Sequence, residues 1–193
     1  IERAAGELFQ LEFFCKHLND VRGYRPDVFD GLVKRIIQCA QPDNYYGVRM
    51  ETRIASSMAR KGLIFELRER PDFSVEGGTV SIECGSVWPS TSNPEKDYRE
   101  RVSSTIRNKD RKRYATSKTI LALEVTSVIG AMIDHGKLDD ETDFHYFLSQ
   151  LVNNMSFGSV LLFSTIFSQR ENRTYSTYNR IDSPRIDSRL AIF

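Results

Sequence analysis

RPDFSVEGGTVSIECG, residues 70–85, places a Gly77-Gly78 pair between two runs in which polar and apolar residues alternate. Two glycines between strand-like runs are the signature of a tight primed turn, because both central positions of such a turn need positive φ. Given that turn, the register follows. Glu76 pairs with Thr79, Val75 with Val80, Ser74 with Ser81, Phe73 with Ile82, and Asp72 with Glu83. Side chains alternate across a strand, so Phe73, Val75, Val80, Ile82 and Cys84 form one apolar face that packs on a helix. Asp72, Ser74, Ser81 and Glu83 share the other. The hairpin therefore sets two carboxylates across a ladder, with Cβ atoms about 5 Å apart.

Working outward, the period changes on both sides. Upstream, Ala4, Leu8, Leu11, Phe14 and Leu18 recur at helical spacing. After a turn at 19–26, a second stripe runs through Val28, Leu32, Val33, Ile36 and Ile37, with Pro26 suited to its first turn. A third helix is expected over 47–61, stopped by Gly62, with Met50, Ile54 and Met58 facing inward. The run 64–67 is a further strand, and 79–87 completes the hairpin. Downstream, a Pro/Ser/Asn loop (88–94) leads to a helix over about 95–114. The apolar, β-branched run TILALEVTSVIG (119–130) reads as one buried strand. A helix over 140–153 and a buried strand over 158–167 follow, and the tail from Arg173 suits a terminal hairpin.

The order ααα-βββ-α-β-α-β implies an α/β domain with a mixed central sheet flanked by helices. Residues 1–45 are an extra N-terminal helical extension, 46–168 the core, and 169–193 a C-terminal hairpin or tail. The chain opens on Ile1 instead of Met, so it is expected to be part of a longer protein with further domains, or to form a homo-oligomer.

The chain has 193 residues, 40% of them hydrophobic and 27% charged, with a net charge of +1. That composition excludes a disordered chain, and the total charge does not mark a nucleic-acid binder. The distribution says more. Between Arg99 and Lys118, Lys and Arg far outnumber the two acids, Glu100 and Asp110. Cys15, Cys39 and Cys84 have no metal-ligand spacing, which fits free thiols in a reducing, cytoplasmic setting. No run reaches the roughly 20 apolar residues of a membrane span.

Two facing carboxylates repel unless something positive lies between them, and a hard cation such as Mg²⁺ or Mn²⁺ prefers such oxygen donors. The plain alternative is an exposed hairpin face, where water absorbs the repulsion. Glu51 weighs against it. It lies on the helix whose short connection at Gly62 forces it against the hairpin, where it can supply a third oxygen. Arg49, Arg53 and Arg60 on that helix are candidate phosphate contacts. On the helix after the second acidic strand, the stripe Val102–Ile106 continues to Lys109 and then Lys112 or Arg113, bringing cations to the edge facing the sheet.

The helix bearing Glu51, the strand, Pro71-Asp72, Glu83 on the next strand, and the helix and strands that follow resemble the PD-(D/E)XK nuclease superfamily, the restriction-endonuclease-like fold. The resemblance covers residues 46–168. It implies hydrolysis of DNA or RNA phosphodiesters with Mg²⁺ or Mn²⁺ held by Asp72, Glu83, Glu51 and the Cys84 carbonyl. Arg49, Arg53, Arg107, Arg111 and Arg113 would hold the nucleic-acid backbone. The chain departs from the family at Gly85, where the motif has lysine. In some members a lysine on the following helix takes that role, and Lys109 or Lys112 is expected to do so here. Should neither reach the site, the resemblance implies an inactive relative that binds nucleic acid or a protein. An unrelated interaction module whose leading helices form an interface is the remaining alternative.

Overall fold

A computed structural model describes residues 2–39, 42–88, 98–134, 141–168 and 173–192. Three helices come first: α1 (Glu2–Tyr24), α2 (Pro26–Gln38) and α3 (Pro42–Arg60). Then follow β1 (Phe65–Leu67), β2 (Phe73–Val75), β3 (Val80–Ser86), α4 (Tyr98–Asp110), β4 (Thr119–Glu124), α5 (Thr126–Asp134), α6 (Glu141–Val152), β5 (Ser159–Ser168) and β6 (Arg173–Asp182). The strands form one six-stranded sheet in the order β1-β2-β3-β4-β5-β6. β3, β4 and β5 run parallel, and the β1–β2, β2–β3 and β5–β6 pairs are antiparallel. The mixed α/β architecture with extra N-terminal helices is as the sequence suggests. Among the described residues no helix is long and apolar enough to cross a membrane.

The hairpin has the expected register: Val75 faces Val80, Ser74 faces Ser81 and Phe73 faces Ile82. Gly77 and Gly78 turn the chain at φ values of 65° and 91°, a left-handed geometry that glycine adopts without a Cβ penalty. Glu76 joins them at φ 51°, so the turn is wider than two residues. Gly62, at φ 71°, ends α3 as expected, and Pro26 stands in the first turn of α2.

Each face of the sheet is covered. Phe73, Val75, Val80, Ile82, Cys84, Ile120 and Ala122 pack with Val28, Leu32, Met50, Ile54 and Met58 of α2 and α3. The intervening Leu121 and Leu123 of β4 pack on the other side with Val102 and Ile106 of α4, Val128 of α5 and Leu148 of α6. Two buried faces explain why β4 reads as an unbroken apolar run.

Two further expectations need correction. TILALEVTSVIG is not one strand: β4 stops at Glu124 and α5 begins at Thr126. Val125, Val128 and Met132 are buried at helical spacing, and the β-branched composition hides that pattern. The helix after the Pro/Ser/Asn loop ends at Asp110, short of 114, so Lys112 and Arg113 lie in the turn beyond it. The segment from Arg173 forms one arm of a hairpin, β6 pairing antiparallel with β5 over ten residue pairs from Ser159↔Asp182 to Ser168↔Arg173. Most of the loop 88–94 lies outside the described residues.

Candidate active site

The hairpin, α3, α2 and α4 converge on one polar cleft of about 700 Å³ at the β2–β3 side of the sheet, within the usual size of a ligand pocket. Its floor holds Asp72, Glu83 and, from α3, Glu51, all buried, at 8%, 4% and 7% exposure. Three buried acids in one place are costly unless something compensates them.

Two side chains begin to do so. From α4, Lys109 Nζ donates to Glu83 Oε1 and, at 3.2 Å, to the Cys84 carbonyl. From α2, Arg35 Nη1 donates to Glu51 Oε2 and, at 3.1 Å, to Asp72 Oδ1, while Nη2 donates to the Arg68 carbonyl. Tyr114, just past α4, donates to Glu83 Oε1 at 2.8 Å. The backbone N–H of Cys84 donates to Asp72 Oδ2 at 2.7 Å, which ties the two hairpin strands together through the acid itself.

Hydrogen bonding still does not balance. Three carboxylates face two cations in direct contact, with Arg70 and Arg101 farther round the same cleft. Among the described residues Glu83 Oε2 is buried with no hydrogen-bond partner, and a buried orphan of this kind asks for a water, an ion or a catalytic role to account for it. The titration behaviour agrees. Burial first, then the charge of Asp72, pushes Glu51 up to about 7. Burial first, then Glu83, pushes Asp72 up to about 6. Burial, then the bond to Glu83, raises the Tyr114 phenol, which keeps it protonated as a donor. Burial likewise raises the Cys84 thiol; the side chain belongs to the apolar cluster under α2 and α3 and is no nucleophile.

Hard oxygen donors, an orphaned carboxylate oxygen and a backbone carbonyl suit Mg²⁺ or Mn²⁺ in kind. Among the described residues, however, no three His, Cys, Asp or Glu side chains stand close enough to hold a metal as they are. The Arg35 guanidinium lies between Glu51 and Asp72 and donates to both.

Of the two candidate lysines, Lys109 reaches the site and Lys112 does not; Lys112 is exposed in the turn after α4. Glycine at position 85 fits this arrangement. A Cβ there would lie 3.7 Å from Lys109 Cε and 3.9 Å from Nζ, in contact with the end of that side chain. The arginines divide. Arg49 turns away from the acids to pair with Glu124 at the end of β4 and to donate to Gln10. Arg53 donates to Thr165 at 3.2 Å and lies over the Phe163 ring. Both line a small separate pocket with His17, whose imidazole is pushed down to about 4 by burial first and then by Arg53. Arg107, Arg111 and Arg113 are exposed. Arg107 borders a hollow against α6, away from the acids.

Sequence reading missed Arg35, Tyr114, Arg70 and Arg101, all of which belong to the site or its rim. Arg35 did leave a signal. It continues the buried stripe Val28–Leu32 by three residues, and a cation in line with an apolar stripe needs a buried partner. Comparison of the chain with protein-family models, curated proteins and solved structures found no significant match.

Proposed function

We propose that this chain is a metal-dependent nuclease of restriction-endonuclease-like fold, hydrolysing phosphodiester bonds of DNA or RNA with Mg²⁺ or Mn²⁺. The observation that carries the reading is the convergence of Glu51, Asp72 and Glu83 in one buried cleft, with Lys109 fixed on Glu83 and on the Cys84 carbonyl. Those are the parts that the strand-borne acids, the helix acid and a migrated lysine would provide. Glu83 Oε2, which has no hydrogen-bond partner among the described residues, is the atom open to a further cation.

In this reading Asp72, Glu83, Glu51 and the Cys84 carbonyl would hold the ion, which requires the Arg35 guanidinium to leave its bonds to Glu51 and Asp72. A divalent ion held there would supply Lewis-acid polarisation of the phosphodiester and a water of lowered pKa. Lys109 orients the attacking water and offsets the negative charge that builds on the phosphate oxygens. Tyr114 acts through Glu83, fixing its carboxylate rotamer, and is a positioning residue. Arg35, once displaced, is free to meet the phosphate on the same rim.

A second reading, a nucleic-acid-binding module without catalysis, is favoured by Arg35 itself. A guanidinium already bridging two of the three acids is a protein-borne substitute for a metal. Calorimetric titration with Mn²⁺ at pH 8 separates the two. The nuclease reading expects heat of binding in the wild type, its loss in Asp72→Asn, and tighter binding in Arg35→Gln. Absence of Mn²⁺ binding in both the wild type and Arg35→Gln would sink it. Nucleic-acid affinity that is indifferent to Mn²⁺ and to Asp72→Asn would then establish the binding module.

A further inference from the structure

The cleft wall carries two buried donors, one from α4 and one from the residue just after β3. Arg101 Nε and Trp88 Nε1 are both shielded from solvent, and among the described residues neither has an acceptor. Both residues line the cleft that holds Asp72, Glu83 and Lys109. Native proteins leave few such groups unpaired, and these two occur together in the wall of one cleft.

Their neighbours define what is missing. Arg101, Thr105 and Lys109 stand at i, i+4 and i+8 on α4, forming a row along one helix face in steps of about 6 Å, and all three line the cleft. Lys109 is engaged by Glu83 and Cys84, whereas among the described residues no ion-pair partner meets Arg101. Trp88 is braced edge-on against Tyr46, ring centroids 4.1 Å apart and planes 79° apart. Tyr46 in turn is pinned beneath the Arg49 guanidinium, 4.5 Å from its ring centre. The indole is thus a supported aromatic surface and not a loose side chain.

An unpaired guanidinium N–H asks for an anionic acceptor, and an unpaired indole N–H asks for a flat ligand with an acceptor on its edge, lying in the plane of the ring. A phosphate and a nucleobase provide both. In a duplex the base is stacked and its edge is paired, so it cannot offer itself to Trp88. Combined cation rows and aromatic platforms are the means by which proteins hold unpaired strands. We infer that this wall binds one unpaired nucleotide beside the scissile phosphate, Arg101 on a phosphate and Trp88 on the base, so that the substrate is single-stranded or locally unwound nucleic acid. The inference rests on the nuclease reading and names its substrate class.

Trp88 is the chain's single tryptophan, so its own emission reports on the site. The test titrates the full chain, in EDTA to prevent cleavage, with a dT 12-mer, a U 12-mer and a 12-base-pair duplex. Either or both single strands should quench Trp88 and bind at least tenfold tighter than the duplex, which should not quench. With anisotropy of a labelled strand, Trp88→Ala should weaken binding about tenfold and Trp88→Phe should retain most of it. Arg101→Gln should weaken it about fivefold and reduce the salt slope by about 0.7, the value of one phosphate contact to a single strand, while Arg101→Lys restores the slope. Equal quenching by the duplex, or single-strand affinity unmoved in folded Arg101→Gln and Trp88→Ala, would overturn the inference. Either result leaves Mn²⁺ binding by calorimetry intact if the nuclease reading is correct. Loss of that Mn²⁺ binding is the separate sign that the nuclease reading has failed.

Discussion

Glu51→Gln should make the metal-free protein more stable, and increasingly so as pH rises. Glu51 loses its proton in the folded protein at about 7, against roughly 4.3 in an unfolded chain. Each unit of that difference is worth about 1.4 kcal/mol, so ionised Glu51 opposes folding by roughly 3 to 4 kcal/mol at pH 8. The sign follows from proton counting. Between about pH 4 and 7 the folded state holds more protons at this position than the unfolded state, so stability is lost as pH rises through that window. Below it Glu51 is protonated in both states and the penalty vanishes. Glutamine carries no charge at any pH and keeps a carbonyl oxygen for Arg35 Nη1, the present donor to Glu51 Oε2. The variant should match the wild type near pH 4.5 and exceed it by about 3 kcal/mol at pH 8.5. For a chain of this size that corresponds to roughly 6–12 °C in Tm. Urea unfolding followed by circular dichroism in EDTA, at intervals from pH 4.5 to 8.5, measures it directly. A stability difference that stays flat across the range, or that turns against the variant at high pH, would refute the picture of an acid held above its ordinary range by burial and by Asp72.

Two further substitutions probe the cations and the backbone. Lys109→Met leaves Glu83, its side chain 5% exposed, with only the Tyr114 bond. Breaking a buried pair costs about 3–5 kcal/mol, but Lys109 is itself 30% exposed, so roughly 2 kcal/mol is expected at pH 8 by urea unfolding. Metal-dependent cleavage of a labelled oligonucleotide by this variant should fall at least about a hundredfold. Gly158→Ala would place a Cβ 2.1 Å from the Ser117 carbonyl oxygen and 2.6 Å from Leu190 Cδ1. Because the first of these is backbone, the clash cannot be relieved by a rotamer, and a loss above about 3 kcal/mol is expected in the same assay. A variant as stable as the wild type would show that the start of β5 is looser than its packing implies.

The hairpin was legible because two independent local rules agreed. Gly77-Gly78 tolerates left-handed backbone, and the alternation on either side admits one register that keeps Phe73, Val75, Val80 and Ile82 on the same face. Glu51 was legible because Gly62 makes the link from α3 to β1 too short for that helix to lie elsewhere. What could not be read depended on composition or on distant packing. Val125, Val128 and Ile129 are β-branched, so α5 looks like a continuation of β4, although the ladder ends at Glu124 and α5 begins at Thr126. Arg49 and Arg53 share a helix with Glu51 and were expected to share its cleft. A helix rotates by about 100° per residue, however, so two residues in either direction carry them to the far side, where Glu124 and Thr165 wait. Arg35 and Tyr114 are separated from their acids by 16 and 31 residues, and no local pattern connects them.

The exchange between Gly85 and Lys109 follows from what a lysine in this position has to do. It must bring an ammonium to the Glu83 carboxylate and the Cys84 carbonyl, and the point of attachment is otherwise immaterial. A lysine at position 85 would reach that place from the strand, whereas Lys109 reaches it from the helix above, its Nζ 3.9 Å from where a Cβ at 85 would begin. A Cβ at 85 would sit 3.1 Å from Leu123 Cδ2, a contact that Leu123 must yield to, and in ordinary contact with the end of Lys109. Glycine leaves that space to the helix-borne amine. In the proposed nuclease reading, the absence of lysine from the strand is therefore compatible with an amine at the site, because Lys109 already brings one to Glu83 and the Cys84 carbonyl.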